Sequence, residues 1–373
     1  ISRGLSTTLA ASSMSPSSCS FRSYSYQGLS FMKKPHIGFV GLGAMGLPML
    51  VNILKHHNGG GAGAGGQVQS SSSGAAGGGN NAHVTAFDSS DVAQKKVHAT
   101  CQGLGLDVRN FTFASSLNQV VRTSDVVITM LPSPESCKAV YDEMLNNEDV
   151  KTSLFIDCST NDPNTARQIA DKVNQAKLAP TSNAILEASN PVYVDAPVSG
   201  GVTAAAAGTL TFMLGADSEI AAKAAKPVLS TMGSRIITVG NTVGAGCAAK
   251  LCNNLVLAVS MAGVSEALAL GERLGLRADE LSDVINASSG RCWSSDTYNP
   301  APGVQRDANS GELAGVPSNL AYDGGFALRL MLKDIRLANE VAEDGSLPMA
   351  HVAEKLYEHT ASIVGENKDF SSV

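Results

Sequence analysis

Paired cysteines are missing from this sequence. The seven cysteines are scattered and none forms a CxxC pair, so an odd count without regular spacing fits no disulfide framework. We therefore expect free thiols in a reducing compartment. The sequence also lacks an HxxxH motif and clustered carboxylates at a plausible site, and no metal is expected.

An excess of basic residues is absent as well. The formal charge of −6 argues against nucleic-acid binding, which would need a basic surface patch. A transmembrane run is not evident either. The most apolar stretch, residues 244–275, looks too short and, at Asn253 and Asn254, too polar to span a bilayer. We therefore expect neither a nucleic-acid partner nor a membrane partner.

Acidic residues are missing from the first 34 positions, which carry four basic residues and are about one-third serine. This composition is typical of an organellar transit peptide. A disordered tail without a targeting signal is the alternative. Because the sequence begins with Ile1 rather than Met, we also expect the true N-terminus to lie further upstream.

The length of 373 residues predicts two domains with ample core. Alternating strand and helix patterns run from residue 35 to residue 240. Mostly helical patterns follow in residues 241–373. We place the domain boundary at Gly240.

A glycine-rich turn opens the first domain. Residues 36–40 form a short apolar run that predicts a buried parallel strand, and a helix pattern follows. Gly41, Gly43 and Gly46 lie between this strand and this helix, and they have the GxGxxG spacing of a dinucleotide-binding turn. Such a turn brings the backbone close to a pyrophosphate at a helix N-terminus. A glycine turn that binds nothing is the alternative.

The acidic residue that should end the next strand is displaced by an insertion. Residues 58–81 are rich in Gly, Ser and Asn, which predicts a flexible surface loop. Without this insertion, Asp88 falls where a ribose-binding carboxylate belongs. A carboxylate there favours NAD over NADP because it repels a 2′-phosphate, and Ser89 and Ser90 offer no basic group. Capping of the following helix is the alternative role for Asp88.

Further apolar runs predict strands at residues 124–130, 154–157, 191–195, 209–215 and 235–240. Ligands bind beyond the carboxyl ends of the strands in open α/β sheets. Ser199, Gly200 and Gly201 follow one of these ends. They could form a carboxylate-binding nest of backbone N–H groups or a plain turn.

Residues 244–275 predict one long helix with no charged side chain between Leu251 and Ser265. A helix that is apolar on nearly every face is buried in a core or in an oligomer interface. Lys250 and Asn254 lie one turn apart on the same face. They could handle a proton, or Lys250 could extend to solvent near the helix end. Shorter helices are predicted at residues 279–288, 328–343 and 350–365.

Together these stretches resemble the β-hydroxyacid dehydrogenases, and within them the mitochondrial 3-hydroxyisobutyrate dehydrogenases. The resemblance implies that residues 1–34 are a mitochondrial transit peptide and that the protein is located in the matrix. The resemblance covers residues 36–373 except insertions near 58–81, 180–190 and 305–314. It rests on residues 37–49, 195–201, 244–254 and 333–338, while residues 289–300 are the most specific to the subgroup. It implies a Rossmann-type N-terminal domain and an all-helical C-terminal domain, joined by the long helix. It also implies a homodimer or homotetramer that buries surface of the helical domain.

The resemblance implies a role for each matched residue. The substrate carboxylate is assigned to Ser199, Gly200, Gly201 and Lys250, and catalysis is assigned to Lys250 with support from Asn254. Lys333 is assigned to the closed site beside the cofactor, although its pattern alone also fits a surface salt bridge. The residues implied in cofactor contacts are Gly41, Leu42, Gly43, Ala44, Met45, Gly46, Asp88, Leu131, Pro132, Ser136, Thr160 and Lys333.

The implied activity is the NAD-dependent oxidation of the small 3-hydroxyacid (S)-3-hydroxyisobutyrate to methylmalonate semialdehyde, a step of valine catabolism. Three alternatives remain. A sister enzyme could reduce glyoxylate, succinic semialdehyde or tartronate semialdehyde. A 6-phosphogluconate dehydrogenase would need a basic phosphate pocket and a longer helical domain, neither of which is visible. A pseudoenzyme could bind NAD or a partner through the same fold, although Lys250 and Asn254 are intact.

Overall fold

The computed structural model describes residues 35–57, 83–109, 111–146, 150–179, 190–307, 310–342 and 346–373. The expectations for the first 34 residues and for the insertion at 58–81 lie outside these ranges. Almost all of the insertion near 180–190 lies outside them too. The insertion near residue 310 is partly described, and an isolated β-bridge between Arg306 and Leu313 joins its two ends.

A parallel six-stranded sheet forms the centre of the N-terminal domain. Its spatial order is β3-β2-β1-β4-β5-β6, the order of a dinucleotide-binding Rossmann sheet. The four strands β1, β2, β4 and β5 are almost entirely buried because their short apolar runs have helices on both faces. The strands are β1 Ile37–Val40, β2 Val84–Phe87, β3 Phe111–Phe113, β4 Val126–Thr129, β5 Leu154–Asp157 and β6 Val192–Asp195.

Five helices connect these strands and build one core on each face of the sheet. The helices α1 and α2 contribute to one core, and α3, α4 and α5 contribute to the other. Several helices begin where the sequence supplies a cap; for example, Ser116 accepts from Gln119 N and Asp162 accepts from Thr165 N. The helices are α1 Gly46–His57, α2 Asp91–Gly103, α3 Leu117–Thr123, α4 Pro134–Leu145 and α5 Pro163–Gln175.

The last predicted strands of this domain form a second sheet rather than extending the first. Its order is β7-β8-β9, with β7 antiparallel and β9 parallel to β8. An antiparallel bridge between Asp195 and Gly215 links the two sheets. The elements are β7 Val198–Ser199, α6 Gly201–Ala207, β8 Leu210–Leu214, α7 Glu219–Leu229 and β9 Gly233–Thr238.

The C-terminal part is helical, as predicted, and begins with one helix of 29 residues, α8 Ala245–Arg273. Its middle packs on the later helices around Met261, Met331 and Tyr357. The change from sheet to helix falls between Thr238 and Ala245. The remaining elements are α9 Ala278–Ala287, α10 Trp293–Asp296, α11 Leu328–Val341 and α12 Pro348–Val364, with 3-10 turns at Pro317–Leu320 and Phe370–Ser372.

The exclusion of a membrane span on length and polarity was wrong for α8. By length and composition alone, α8 is the one helix in the described part of the chain that could cross a membrane. Within one chain only 33% of its most apolar window is buried, and the helix packs on elements of both domains through a face that includes Lys250 and Asn254. Burial of the remaining faces in an oligomer interface stays a prediction.

Candidate active site

The glycine turn has the three features that a dinucleotide needs. Gly41 has a φ of +94°, and a Cβ there would lie 2.3 Å from Met130 O at the end of β4. A Cβ on Gly46 would lie 1.9 Å from Gly41 O, so the third glycine allows α1 to pack on β1. Gly43 is exposed, and a Cβ on it would meet no atom within 4 Å. Its backbone is therefore open to a pyrophosphate.

Asp88 is tied to this turn. Its Oδ2 accepts from Leu42 N at 2.7 Å, and its Oδ1 accepts from Ser90 N at 2.8 Å. The cap of α2 is Ser90 rather than Asp88, so the carboxylate faces the turn instead of serving only as a helix cap. A cavity of about 300 Å³ lies here, and its lining includes Gly43, Ala44, Asp88 and Lys96. Lys96, a cation beside the expected ribose site, was not predicted from the sequence.

The loops that follow β4 and β5 lie at the same edge of the sheet. Leu131 N donates to Ser159 Oγ at 2.9 Å, which joins the two loops. Ser136 lies in the first turn of α4, where its N–H donates to Ser133 Oγ at 3.2 Å. Pro132 lies between these positions, directly after Leu131. The expected cofactor contacts Leu131, Pro132, Ser136 and Thr160 therefore belong to adjoining segments.

Asp157, at the end of β5, organises these loops and was not predicted as a site residue. Its carboxylate is fully buried and accepts from Thr129 Oγ1 at 2.8 Å, Ser159 N at 3.0 Å, Asn161 Nδ2 at 2.9 Å and Tyr193 OH at 3.0 Å. Burial raises the pKa of the Asp157 carboxyl, and these donors oppose the rise. The position of Asp157 at the carboxyl end of a buried strand was the available signal in the sequence.

The expected substrate turn has the backbone conformation that its glycines allow. Gly200 has a φ of +132° and Gly201 has a φ of +66°. A Cβ on Gly200 would also lie 2.5 Å from Ala204 Cβ. Ser199 ends β7 and the short helix α6 begins at Gly201. Among the described residues, no hydrogen bond joins this turn to Lys250.

Lys250 lies on the buried face of α8, only 8% exposed. Desolvation lowers the pKa of its ammonium, attraction to Asp334 opposes this shift, and repulsion from Lys333 adds to it. Lys250 therefore does not extend to solvent. A lowered pKa increases the neutral fraction of the amine at any given pH, which favours a role in proton transfer.

A buried carboxylate connects the other expected site residues. Asp334, 3% exposed, binds Lys333 Nζ through Oδ1 at 2.9 Å and Asn254 Nδ2 through Oδ2 at 2.5 Å. Lys333 Nζ also donates to Thr160 O at 3.1 Å. This last bond links the helical domain to the cofactor loop. The sequence analysis named Lys333 but missed the role of Asp334, the residue that follows it.

A Rossmann glycine turn facing a helical domain with a buried lysine defines the class of NAD-dependent oxidoreductases. A probable mitochondrial 3-hydroxyisobutyrate dehydrogenase of Arabidopsis thaliana is 40% identical to the chain, over 91% of the chain and 86% of that protein. The structure of Mycobacterium tuberculosis 3-hydroxyisobutyrate dehydrogenase with L-serine is 33% identical, with a TM-score of 0.69 over 90% of the chain and 97% of that structure. The chain belongs to the 3-hydroxyisobutyrate dehydrogenase family and is an NAD-dependent oxidoreductase.

Two family models match the chain, and they meet where the structure changes from sheet to helix. Residues 78–240 match the NAD binding domain of 6-phosphogluconate dehydrogenase. Residues 244–373 match a domain described as NAD-binding of NADP-dependent 3-hydroxyisobutyrate dehydrogenase. A further relative, the NAD-dependent L-serine dehydrogenase of Pseudomonas aeruginosa, is 36% identical over 90% of the chain and 96% of that protein.

Proposed function

We propose that the chain oxidises (S)-3-hydroxyisobutyrate to methylmalonate semialdehyde with NAD⁺, as a step of valine catabolism. The names of its relatives support this substrate. One observation of the structure carries the chemistry: Lys250 is buried on α8, with Lys333 and Asp334 acting on its pKa and Asn254 one turn away. Oxidation of an alcohol needs a base of this kind because a proton leaves the hydroxyl group.

In this proposal Lys250 is the general base of the oxidation and the general acid of the reverse reduction. An ordinary lysine, with a pKa of about 10.4, is almost fully protonated at neutral pH and is a poor base. Desolvation of Lys250 and repulsion from Lys333 both increase the neutral fraction of the amine. Asn254, held by Asp334, would align the hydroxyl group or the amine.

The residues of the N-terminal domain fit NAD. The open backbone of Gly43 is suited to the pyrophosphate, and Asp88 lines the cavity where the ribose hydroxyls would be recognised. When bound, NAD⁺ accepts a hydride from the carbinol carbon of the substrate. The loops at Leu131 and Thr160 would hold the coenzyme, and Lys333 would close the site through its bond to Thr160 O.

Recognition of the substrate carboxylate is assigned to the turn at Ser199, Gly200 and Gly201. The positive φ angles of both glycines turn successive backbone N–H groups in the manner of an anion-binding nest. The Ser199 hydroxyl adds a donor.

L-serine is a second candidate substrate. One relative is named an L-serine dehydrogenase, and one similar structure is described with L-serine. Serine shares with 3-hydroxyisobutyrate a primary alcohol at the third carbon of a small acid. The two acids differ at the second carbon, where an amino group stands in place of a methyl group.

Three further parts of the proposal concern the whole protein. We place it in the mitochondrial matrix, in line with the mitochondrial names of its relatives. We take residues 35–240 as the coenzyme domain and residues 241–373 as the domain for substrate and assembly. Apolar side chains exposed on the helical domain support a homodimer or homotetramer.

A panel of hydroxyacids tests the function directly. Purified protein would be assayed for NAD⁺ reduction with (S)-3-hydroxyisobutyrate, its enantiomer, L-serine and other small 3-hydroxyacids. The reverse direction would be assayed with glyoxylate, succinic semialdehyde and tartronate semialdehyde. We expect the highest kcat/KM with (S)-3-hydroxyisobutyrate. A higher value with L-serine would favour the second candidate, and inactivity with every compound would refute both.

A further inference from the structure

Asp195 lies where three parts of the protein meet. It ends β6, the last strand of the large sheet, and its side chain is fully buried. Its backbone exchanges two hydrogen bonds with Gly215 at the end of β8, at 3.1 and 2.8 Å. Ser199 of the substrate turn follows four residues later.

The carboxylate of Asp195 binds the first turn of α8. Oδ1 accepts from Gly244 N at 2.7 Å and Oδ2 accepts from Cys247 N at 2.8 Å. The first N–H groups of a helix have no partner within the helix and need an acceptor from outside. Gly244, at the cap position, has no side chain to offer, so a residue 49 positions earlier supplies the cap.

Two glycines allow this close approach. A Cβ on Gly246 would lie 2.1 Å from Met213 O and 2.9 Å from Asp195 Oδ2. A Cβ on Gly215 would lie 2.5 Å from Asp195 Oδ1 and 2.7 Å from Gly246 N. The helix end, the second sheet and the carboxylate are therefore packed without space for adjustment.

This junction fixes the position of Lys250. Cys247 and Lys250 lie almost one helical turn apart on the same buried face of α8. A shift of the first turn therefore moves the Lys250 amine. Because Asp195 also begins the segment that leads to Ser199, its side chain joins the start of α8 to the segment that carries the proposed carboxylate site.

We propose that Asp195 is a positioning residue, whose two hydrogen bonds to the start of α8 set Lys250 in register with the substrate turn at Ser199–Gly201. The inference rests on the proposed function of Lys250 and of that turn. It assigns to Asp195 no contact with substrate or coenzyme and no proton transfer. Its effect should therefore appear in turnover rather than in coenzyme affinity.

The test compares Asp195→Asn with Asp217→Asn. The new amide at position 195 keeps the size of the carboxylate but presents an NH₂ group to one of the two backbone N–H donors. Asp217 is the matched control, because its Oδ1 accepts from Val243 N at 2.7 Å, just before the helix. A single acceptor oxygen in asparagine can preserve that bond. Both variants would be assayed well below their Tm, so that all of the protein is folded.

We expect Asp195→Asn to lower kcat about 10- to 100-fold, because a displacement of about 1 Å can cost a factor of this size. Coenzyme Kd should stay within about twofold, and the pH dependence of kcat should keep its Lys250 limb. Asp217→Asn should retain the wild-type kcat. A merely structural role would lower the Tm of Asp195→Asn and leave kcat of the folded enzyme unchanged, which would overturn the proposal.

Hydrogen exchange keeps the proposal testable even where Asp195→Asn does not fold. In the wild-type protein the amides of Gly244 and Cys247 should be protected, although both lie in the first turn of a helix. Exchange of both amides at the rate of exposed groups would overturn the proposal.

The activity of wild-type protein on hydroxyacids distinguishes failure of the proposed function from failure of the role of Asp195. Inactive wild-type protein would refute the proposed function, whereas active wild-type protein and an equally active Asp195→Asn would refute only the role of Asp195.

Discussion

The proposed chemistry depends on one amine, and its environment explains why a lysine can serve. The amine of Lys250 is buried, and burial lowers its pKa. Asp334 is near enough to act on that pKa, but its oxygens bind Lys333 and Asn254. The charge of Asp334 is therefore shared between the two lysines, and the pKa of Lys250 stays below its ordinary value.

Replacement of Lys250 should separate proton transfer from positive charge. Lys250→Ala should lower kcat about 10²- to 10⁴-fold, the usual contribution of a general acid–base group. Lys250→Arg keeps the charge but does not readily lose a proton, so we expect nearly the same loss. Coenzyme Kd should barely change, because the glycine turn and Asp88 belong to the other domain. Recovery of most of the activity with arginine would make Lys250 only an anchor for the substrate carboxylate.

The charges beside Lys250 should move the pH dependence of kcat in opposite directions. Oxidation needs the neutral amine, so kcat should rise with pH through the pKa of Lys250. Asp334 raises this pKa and Lys333 lowers it. Asp334→Asn should therefore shift the rising limb to lower pH, and Lys333→Met should shift it to higher pH. Measured pH profiles with an unmoved limb in both variants would show that another group titrates.

Two side chains of opposite charge line one cavity, and we expect them to decide coenzyme choice. Asp88 should repel a 2′-phosphate, while Lys96 lines the same cavity and should attract it. Wild-type protein should prefer NAD⁺, Asp88→Ser should reduce this preference, and Lys96→Ala should increase it. A change on the order of tenfold in each case corresponds to about 1.4 kcal/mol. Comparable kcat/KM values of the wild type for NAD⁺ and NADP⁺ would contradict the role of Asp88.

At the scale of elements, local patterns predicted most strands and helices, and pairing between distant segments was harder to predict. The predicted runs at residues 36–40 and 154–157 correspond to β1 Ile37–Val40 and β5 Leu154–Asp157. The strand β3, Phe111–Phe113, was not predicted because three residues give no periodicity. The second sheet was not predicted either, because strand pairing is not a local property.

Prediction of the site residues from the sequence had the same limit. The glycine turn and Lys250 lie in contiguous motifs, and the sequence indicated both of them. The buried carboxylates did not stand out, because their roles depend on contacts between distant residues. The hydrogen bond between Asp334 and Asn254 joins residues 80 positions apart in the sequence, and the bond between Asp195 and Gly244 joins residues 49 positions apart. Asp195 ends a strand and Asp334 lies in a helix. At both kinds of position an acidic residue could equally well face solvent.

The insertion at residues 58–81 can be shortened to test whether activity and stability depend on it. It separates α1, which ends at His57, from β2, which begins at Val84. We expect that a cut to a short turn leaves kcat and Tm nearly unchanged, because each halving of a flexible loop changes its closure free energy by only about 0.6 kcal/mol. A variant with the same insertion in scrambled order is the control. A large loss of activity in both would mean that the specific sequence has a function.

At the scale of the whole molecule, several apolar side chains of the helical domain are exposed in the described chain. Val256 and Leu270 of α8 are 69% and 57% exposed, and Gly263 between them is exposed too. Residues spaced by seven positions lie on one face of a helix. Val352 and Ile363 of α12 are exposed as well. Because the exposed residues of α8 share one helix face, we expect this face to lie in an interface between copies of the chain.

Assembly of the chain through this surface is the last prediction. Light scattering should give a mass that is a multiple of the 38.3 kDa chain. Val256→Arg combined with Leu270→Arg should shift the protein toward the monomer, because burial of one such side chain contributes about 1.5–3 kcal/mol and a buried unpaired charge opposes association. Ile237→Arg is the matched control, since Ile237 is 46% exposed on β9 of the other domain. A wild-type protein that remains monomeric at micromolar concentration would contradict the prediction, and so would an equal effect of Ile237→Arg.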